Sequence, residues 1–255
     1  MNGTILYPAG NNAAQRFACR ELLDRGFSVV STPAPDVKYL LLPVPSFEAD
    51  ARIRGGGILE HILAELPENV TVIGGNLMHP SLQGYPTIDL LKDPLYVAEN
   101  AAITADCALR VAGRRLQTVF RGCPILVIGW GRIGKCLAAQ LLALGADITV
   151  AARKGSDRAI LQALGYRAVD PGQLNETLSE YRVIFNTAPA PVLSDAQVRH
   201  CRNDCLKIEL ASTDGIAGAN VIPARGLPSK EAPESSGKLI AQTIFRILAK
   251  KEAVT

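Results

Sequence analysis

The chain has 255 residues, 48% hydrophobic and 20% charged, and 27 Lys and Arg against 24 Asp and Glu leave a formal net charge of +3. That balance argues against nucleic acid or an anionic membrane as a partner, and no apolar run reaches the roughly 18 residues of a spanning helix. The N-terminus lacks a basic-then-apolar signal, so a cytoplasmic protein of two small domains or one large one is expected.

Strand and helix signals alternate along the chain, the pattern of a wound α/β architecture. GTILYP (3–8) reads as a strand, and NNAAQRFACRELLDRG (11–26) as an amphipathic helix with an Asn cap, a terminal Gly26, and Phe17, Leu22 and Leu23 inward. FSVVS (27–31) and VKYLLLP (37–43) are strands, ILEHILAEL (58–66) is a helix, and VTVIGG (70–75) and PTIDLL (86–91) are further strands. TPAPDV, between the second and third strands, is too short for a crossover helix. Extended chain at about 3.3 Å per residue can still cross a sheet bare. These elements predict a trimmed α/β domain over residues 1–95, on the substrate side.

ENAAITADCALRVAGRRLQTVF (99–120) predicts a long helix, so residues 96–120 are expected to connect two domains. A second domain over 121–228 opens on CPILVIGWGRIG. ILVIG is a buried parallel strand, and Gly129-x-Gly131-x-x-Gly134, with Trp130, Arg132 and Ile133 between the glycines, turns into the helix RIGKCLAAQLLALG. Gly129 permits the tight turn, Gly131 lets a pyrophosphate approach the backbone, and Gly134 lets helix pack on strand. The helix N-terminus then offers free N–H groups and a positive dipole end to phosphate.

The strand ADITVAA follows at the spacing of a dinucleotide-binding unit. Its last residue is Ala152, where an acid usually accepts hydrogen bonds from the adenosine ribose. A carboxylate there would repel a 2′-phosphate. Ala152 removes that repulsion, while Arg153 and Lys154 supply positive charge and Ser156 a hydroxyl, so the expected cofactor is NADP.

SDRAILQALG then reads as a helix, YRAVD as a strand, PGQLNETLSE (171–180) as a helix, YRVIFNTA (181–188) as a strand and SDAQVRHC as a helix. CLKIELAS (205–212) and ANVIPA (219–224) complete six strands. Residues 229–255, with the helix SSGKLIAQTIFRILAKK, are expected to pack back on the first domain or the connector. Asn186, Thr187, Ala188 and Pro189 follow the fourth strand at the carboxyl edge that borders a nicotinamide. Apolar faces on the connector and last helix predict a homo-oligomer.

The six cysteines sit in apolar patterns and read as small core residues of a reducing compartment. His200-Cys201 with Cys205 mimics half a metal site, but no second pair lies at zinc-like spacing, and no metal is expected.

Taken in order, ENAAITADCAL, VIGWGRIGKCLA, LLALGADITVAAR, FNTAPAPVLS, IELAS and ARGLPSKEAPESSGKLIA resemble the dipicolinate synthase family, in the first of that enzyme's two subunits. LLPVPS in the first domain is similar too. The resemblance implies a flavodoxin-like first domain joined to a Rossmann domain, a doubly wound parallel sheet. It implies NADP-linked oxidation of a dihydrodipicolinate-type intermediate to dipicolinate, an acid of bacterial sporulation, beside a flavoprotein-like second subunit. The chain departs from the pattern at Ala9-Gly10-Asn11-Asn12, Ser229, Ser235-Ser236 and Glu209, mostly on the substrate side.

A small dicarboxylate substrate needs fixed donors or cations. Lys230, Arg225 and the hydroxyls of Thr104 and Ser212 are candidates, with Glu99 or Asn100 to orient it. No histidine follows His200, which argues against the His–carboxylate chemistry of a 2-hydroxy acid dehydrogenase. Two other readings stay open: an NADP-binding regulatory protein without turnover, and a different small-molecule NADP dehydrogenase on the same frame.

Overall fold

Two separate parallel sheets organise the chain in the computed structural model, which describes residues 3–252. It divides into two compact units, one of residues up to Asn100 together with those from Pro228 onward, the other Ala101–Leu227.

In the first unit, β1 (Thr4–Pro8) leads into α1 (Ala13–Asp24), which returns to β2 (Phe27–Val29). Asn12 caps α1 by accepting the Gln15 amide at 2.7 Å. The helix buries Ala14, Ala18 and Leu22, a stripe at four-residue spacing, so Leu23, expected inward, falls off that face and is half exposed. β3 (Tyr39–Leu41) lies on the other side of β1 from β2, both parallel to it. Residues 30–38 between them contain no helix. α2 (Leu59–Ala64), β4 (Thr71–Gly74) and β5 (Thr87–Asp89) complete the order β2-β1-β3-β4-β5. Ser46, in the LLPVPS stretch, is buried; its hydroxyl donates to the Pro43 carbonyl and accepts the Gly75 amide, tying that stretch to the end of β4.

α3 (Pro94–Gly113) starts before and ends well short of the helix expected over 99–120. Asp93 accepts the Tyr96 amide at 2.8 Å, and Pro94 takes the first helical position, where its missing N–H costs nothing. At the other end the Phe120 ring folds back to within 3.7 Å of where a Gly113 side chain would begin. The division between the two units falls within α3.

The second unit runs β6 (Pro124–Ile128), α4 (Arg132–Ala143), β7 (Asp147–Ala151), α5 (Gly155–Ala163), β8 (Arg167–Val169), β9 (Val183–Asn186), α6 (Asp195–Val198), β10 (Leu206–Glu209) and β11 (Val221–Pro223). Its sheet order, β11-β10-β9-β6-β7-β8, is all parallel and reverses direction at β6, where a doubly wound sheet opens its ligand crevice. The strands are buried hydrophobic runs, as a sheet covered on both faces requires. The helix expected over 171–180 is instead two short 3₁₀ turns, Pro171–Glu176 and Leu178–Glu180, because Asp170 caps the Gly172 amide in a tight turn.

α7 (Leu227–Glu231) precedes α8 (Pro233–Glu252), which packs on α1 within the first unit. Gly237 makes that crossing close: a side chain there would begin 2.5 Å from both the Ala14 carbonyl and Phe17 Cβ. Residues 253–255 lie outside the described residues.

Candidate cofactor site

The carboxyl ends of β6, β7 and β9 meet at a cavity of about 570 Å³. Its floor is Gly129, Trp130 and Gly131. Gly129 has φ +105°, and a side chain on it would strike Thr187 Oγ1 at 2.5 Å. Gly131 caps α4 without any side-chain hydrogen bond, and nothing lies within 4 Å of where its side chain would begin. Gly131, at the N-terminus of a 12-residue helix, therefore leaves an open space of the kind that takes a pyrophosphate. Gly134 serves packing alone, since a side chain there would collide with the Gly129 carbonyl.

One wall is the end of β7: Ala151, Ala152, Arg153 and Lys154, with Asp157 from α5. Ala152 is buried and both cations are exposed. Pro171 and Gly172 close that end.

The opposite wall, Thr187–Val192 with Gln197, is held by a buried polar network. Thr187 Oγ1 donates to the Ile128 carbonyl at 3.0 Å. Asn186 is fully buried; its Nδ2 donates to Glu209 Oε1 at 2.8 Å and to the Ala188 carbonyl, and its Oδ1 accepts the Ala188 amide. Glu209, 2% exposed, also accepts the amides of Ala211, Gly215 and Ile216. A buried carboxylate is tolerated because hydrogen bonds replace its lost water. Gly215 leaves room for it, since a side chain there would overlap Asn186.

Of the residues expected at the cofactor, Gly129, Trp130, Gly131, Ala152, Arg153, Lys154, Thr187, Ala188 and Pro189 line the cavity. Arg132, Ile133, Gly134, Ser156 and Asn186 do not. Ser156 sits on the exposed start of α5, where helical geometry turns Asp157 to the cavity instead, and Asn186 stands behind the wall it braces. Asp157, Pro171, Gly172 and Gln197 were not anticipated. The Pro-Gly pair after β8 was a turn signal at the correct sheet edge.

The substrate-side candidates are dispersed. Asn100 and Lys230 belong to the first unit, Thr104 and Ser212 to the second, and none lines the cavity. Arg225 is already engaged: its Nε donates to the Ala211 carbonyl and its Nη2 to Asp214 Oδ1, both at 2.7 Å. Cys201 and Cys205 interact beside the buried Lys207. The hydrogen bond between their side chains and the Lys207 charge hold the Cys201 thiol below the usual thiol range, while that hydrogen bond and burial raise that of Cys205. Among the described residues no group of three or more His, Cys, Asp or Glu is placed to hold a metal ion, and no helix is long and apolar enough to cross a membrane.

Residues 124–200 match the family described as NADP oxidoreductase, coenzyme F420-dependent. A dipicolinate synthase subunit of Bacillus subtilis (strain 168) is 26% identical over 162 residues, 60% of this chain and 54% of the relative. The match thus spans about half that relative's length. Glutamyl-tRNA reductase of Chloroflexus aggregans is 29% identical over 149 residues, 58% of this chain and 29% of that protein. Among solved structures, the corresponding dipicolinate synthase subunit from Bacillus halodurans superimposes with a TM-score of 0.83 at 20% identity, covering 97% of this chain and 99% of that one. The transhydrogenase from Sinorhizobium meliloti gives 0.72 at 12% identity, covering 97% and 94%. This chain is therefore similar in sequence to a dipicolinate synthase subunit over 60% of its length and shares the fold of such subunits along nearly all of it.

Proposed function

We propose that the chain is an NADP-linked oxidoreductase that converts a dihydrodipicolinate-type intermediate to dipicolinate, the product for which its dipicolinate synthase relatives are named. The observation that carries this reading is the junction of an open glycine turn with Ala152, Arg153 and Lys154 in one cavity. The α4 N-terminus and Gly131 would hold the pyrophosphate, Arg153 and Lys154 the 2′-phosphate, and Thr187–Pro189 would flank the nicotinamide. The cofactor supplies a hydride acceptor. Ring aromatisation supplies driving force, so a strong buried base is not required of the chain. The strand order of the first sheet supports its reading as a trimmed flavodoxin-like domain, and the domain boundaries 1–95, 96–120, 121–228 and 229–255 stand as part of the same proposal. A homo-oligomeric assembly, a cytoplasmic setting and a flavoprotein-like second subunit belong to it too.

Asp157 favours a second reading. A carboxylate at the adenosine end suits a ribose 2′-hydroxyl, hence NAD. Calorimetric titration separates the two: NADPH should bind more tightly than NADH, and Arg153→Ala should narrow the gap by about 1–3 kcal/mol, the range of a charge-assisted contact. Equal affinities in the unmodified protein would favour the NAD reading. On the substrate side, dipicolinate should bind the NADP-loaded protein in preference to the monocarboxylate picolinate. Equal binding of the two acids would leave only the cofactor reading.

A further inference from the structure

Arg158 lies outside the cavity lining, yet it touches both turns that form the adenosine end. Its Nη1 donates to the carbonyls of Ala152 and Arg153, 2.7 Å each, and stands 2.8 Å from Asp170 Oδ2. Asp170 in turn accepts the Gly172 amide on its other oxygen at 2.9 Å. One guanidinium thus joins the turn that carries Arg153 and Lys154 to the turn Asp170–Gly172 across the same cavity. All three contacts converge on Nη1, so its N–H bonds hold the two carbonyls of the first turn while its positive charge faces the Asp170 carboxylate of the second.

We propose that Arg158, clamped by Asp170, is a positioning residue that sets cofactor choice by fixing the Ala152–Lys154 turn. The inference rests on the reading of this cavity as an NADP site. Arg153 and Lys154 are exposed side chains on a short turn. Holding such a side chain on a ligand costs conformational freedom. A braced turn reduces the backbone share of that ordering. The reduction matters most for a ligand that uses both cations, and NAD, without the 2′-phosphate, uses neither. Loss of the brace should therefore weaken NADPH far more than NADH.

The test is calorimetric titration of the full chain with NADPH and NADH, in the unmodified protein, Arg158→Gln, Asp170→Asn and the double variant. The unmodified protein is read first: without a preference for NADPH the underlying reading fails, and this proposal with it. Given that preference, Arg158→Gln should lower the NADPH-to-NADH affinity ratio about tenfold, the scale of one charged hydrogen bond. Asp170→Asn is the discriminating arm. It keeps an acceptor for the Gly172 amide and makes the site more positive, so charge alone predicts stronger NADPH binding. The brace predicts weaker binding, with the double variant no worse than the poorer single one. A rise or no change in the ratio with Asp170→Asn overturns the proposal, as does an equal loss for both cofactors or additive losses in the double variant. Melting temperatures of the variants identify a general loss of fold, which would strike both cofactors alike.

Discussion

Gly131 and Gly134 stand three residues apart and use a missing side chain for opposite ends. At Gly131 the space is open, so Gly131→Val should leave the melting temperature nearly unchanged and abolish dinucleotide binding in calorimetry. At Gly134 the space holds the Gly129 carbonyl, so Gly134→Ala should destabilise the protein by about 1–3 kcal/mol in denaturant unfolding. A Gly131→Val protein with intact NADPH affinity would place the cofactor elsewhere. Both glycines were legible from spacing alone because the turn is local. Arg158 was not, for its carboxylate partner Asp170 lies twelve residues on, beyond the end of α5 and the whole of β8. Glu209 looked like a mere departure from a motif. Its hydrogen bonds to Asn186 and three amides join segments of the chain that no local pattern brings together.

Among the elements, helix ends show best how side chains decide boundaries. Asp93 accepts the Tyr96 amide at the start of α3 and, from α8, the Arg246 guanidinium at 2.7 Å. Partial burial pushes its carboxyl up, but the Arg246 and amide hydrogen bonds outweigh this and hold it below the usual range. A folded-state value below the unfolded one means stability that is present above about pH 4 and is lost as pH falls through the folded value. Asp93→Asn should therefore lower stability at pH 7 by about 1–3 kcal/mol and flatten the acid limb of the unfolding curve. An unchanged acid limb would show that Arg246 contributes nothing there. Central elements were legible because a buried parallel strand is an apolar run and an amphipathic helix a periodic one. The failures were at 114–120 and 171–180, where apolar spacing continues but backbone turns take over. In α1 the sequence also shows no cue that the Ala14–Ala18 stripe, rather than Leu23, would be buried.

At the scale of the molecule, both sheets follow from strand signals, but their orders do not. The crossing from β2 to β3 without a helix and the reversal at β6 are set by which strands pair, a long-range matter. Two units with separate sheets should answer a ligand separately. Binding stabilises the folded state by about 2.7 kcal/mol at a hundredfold excess over Kd. In hydrogen exchange with saturating NADPH, amides of β6 and β9 and the turn Gly129–Gly134 should gain protection, whereas β1, β3 and β4 should change little. Equal slowing in both sheets would mean that they open as one cooperative body.

Trp130, the chain's one tryptophan, lies in the glycine turn, edge-on to Tyr166 at 5.9 Å with Lys135 over its ring. Its indole lines the same cavity as the two cations. All tryptophan emission of the protein therefore originates at the proposed cofactor site. Reduced nicotinamide absorbs where indole emits, so a dinucleotide seated there would take up that light by resonance transfer and return it at its own longer wavelength. The protein carries its own optical gauge of occupancy, readable without label or enzyme assay.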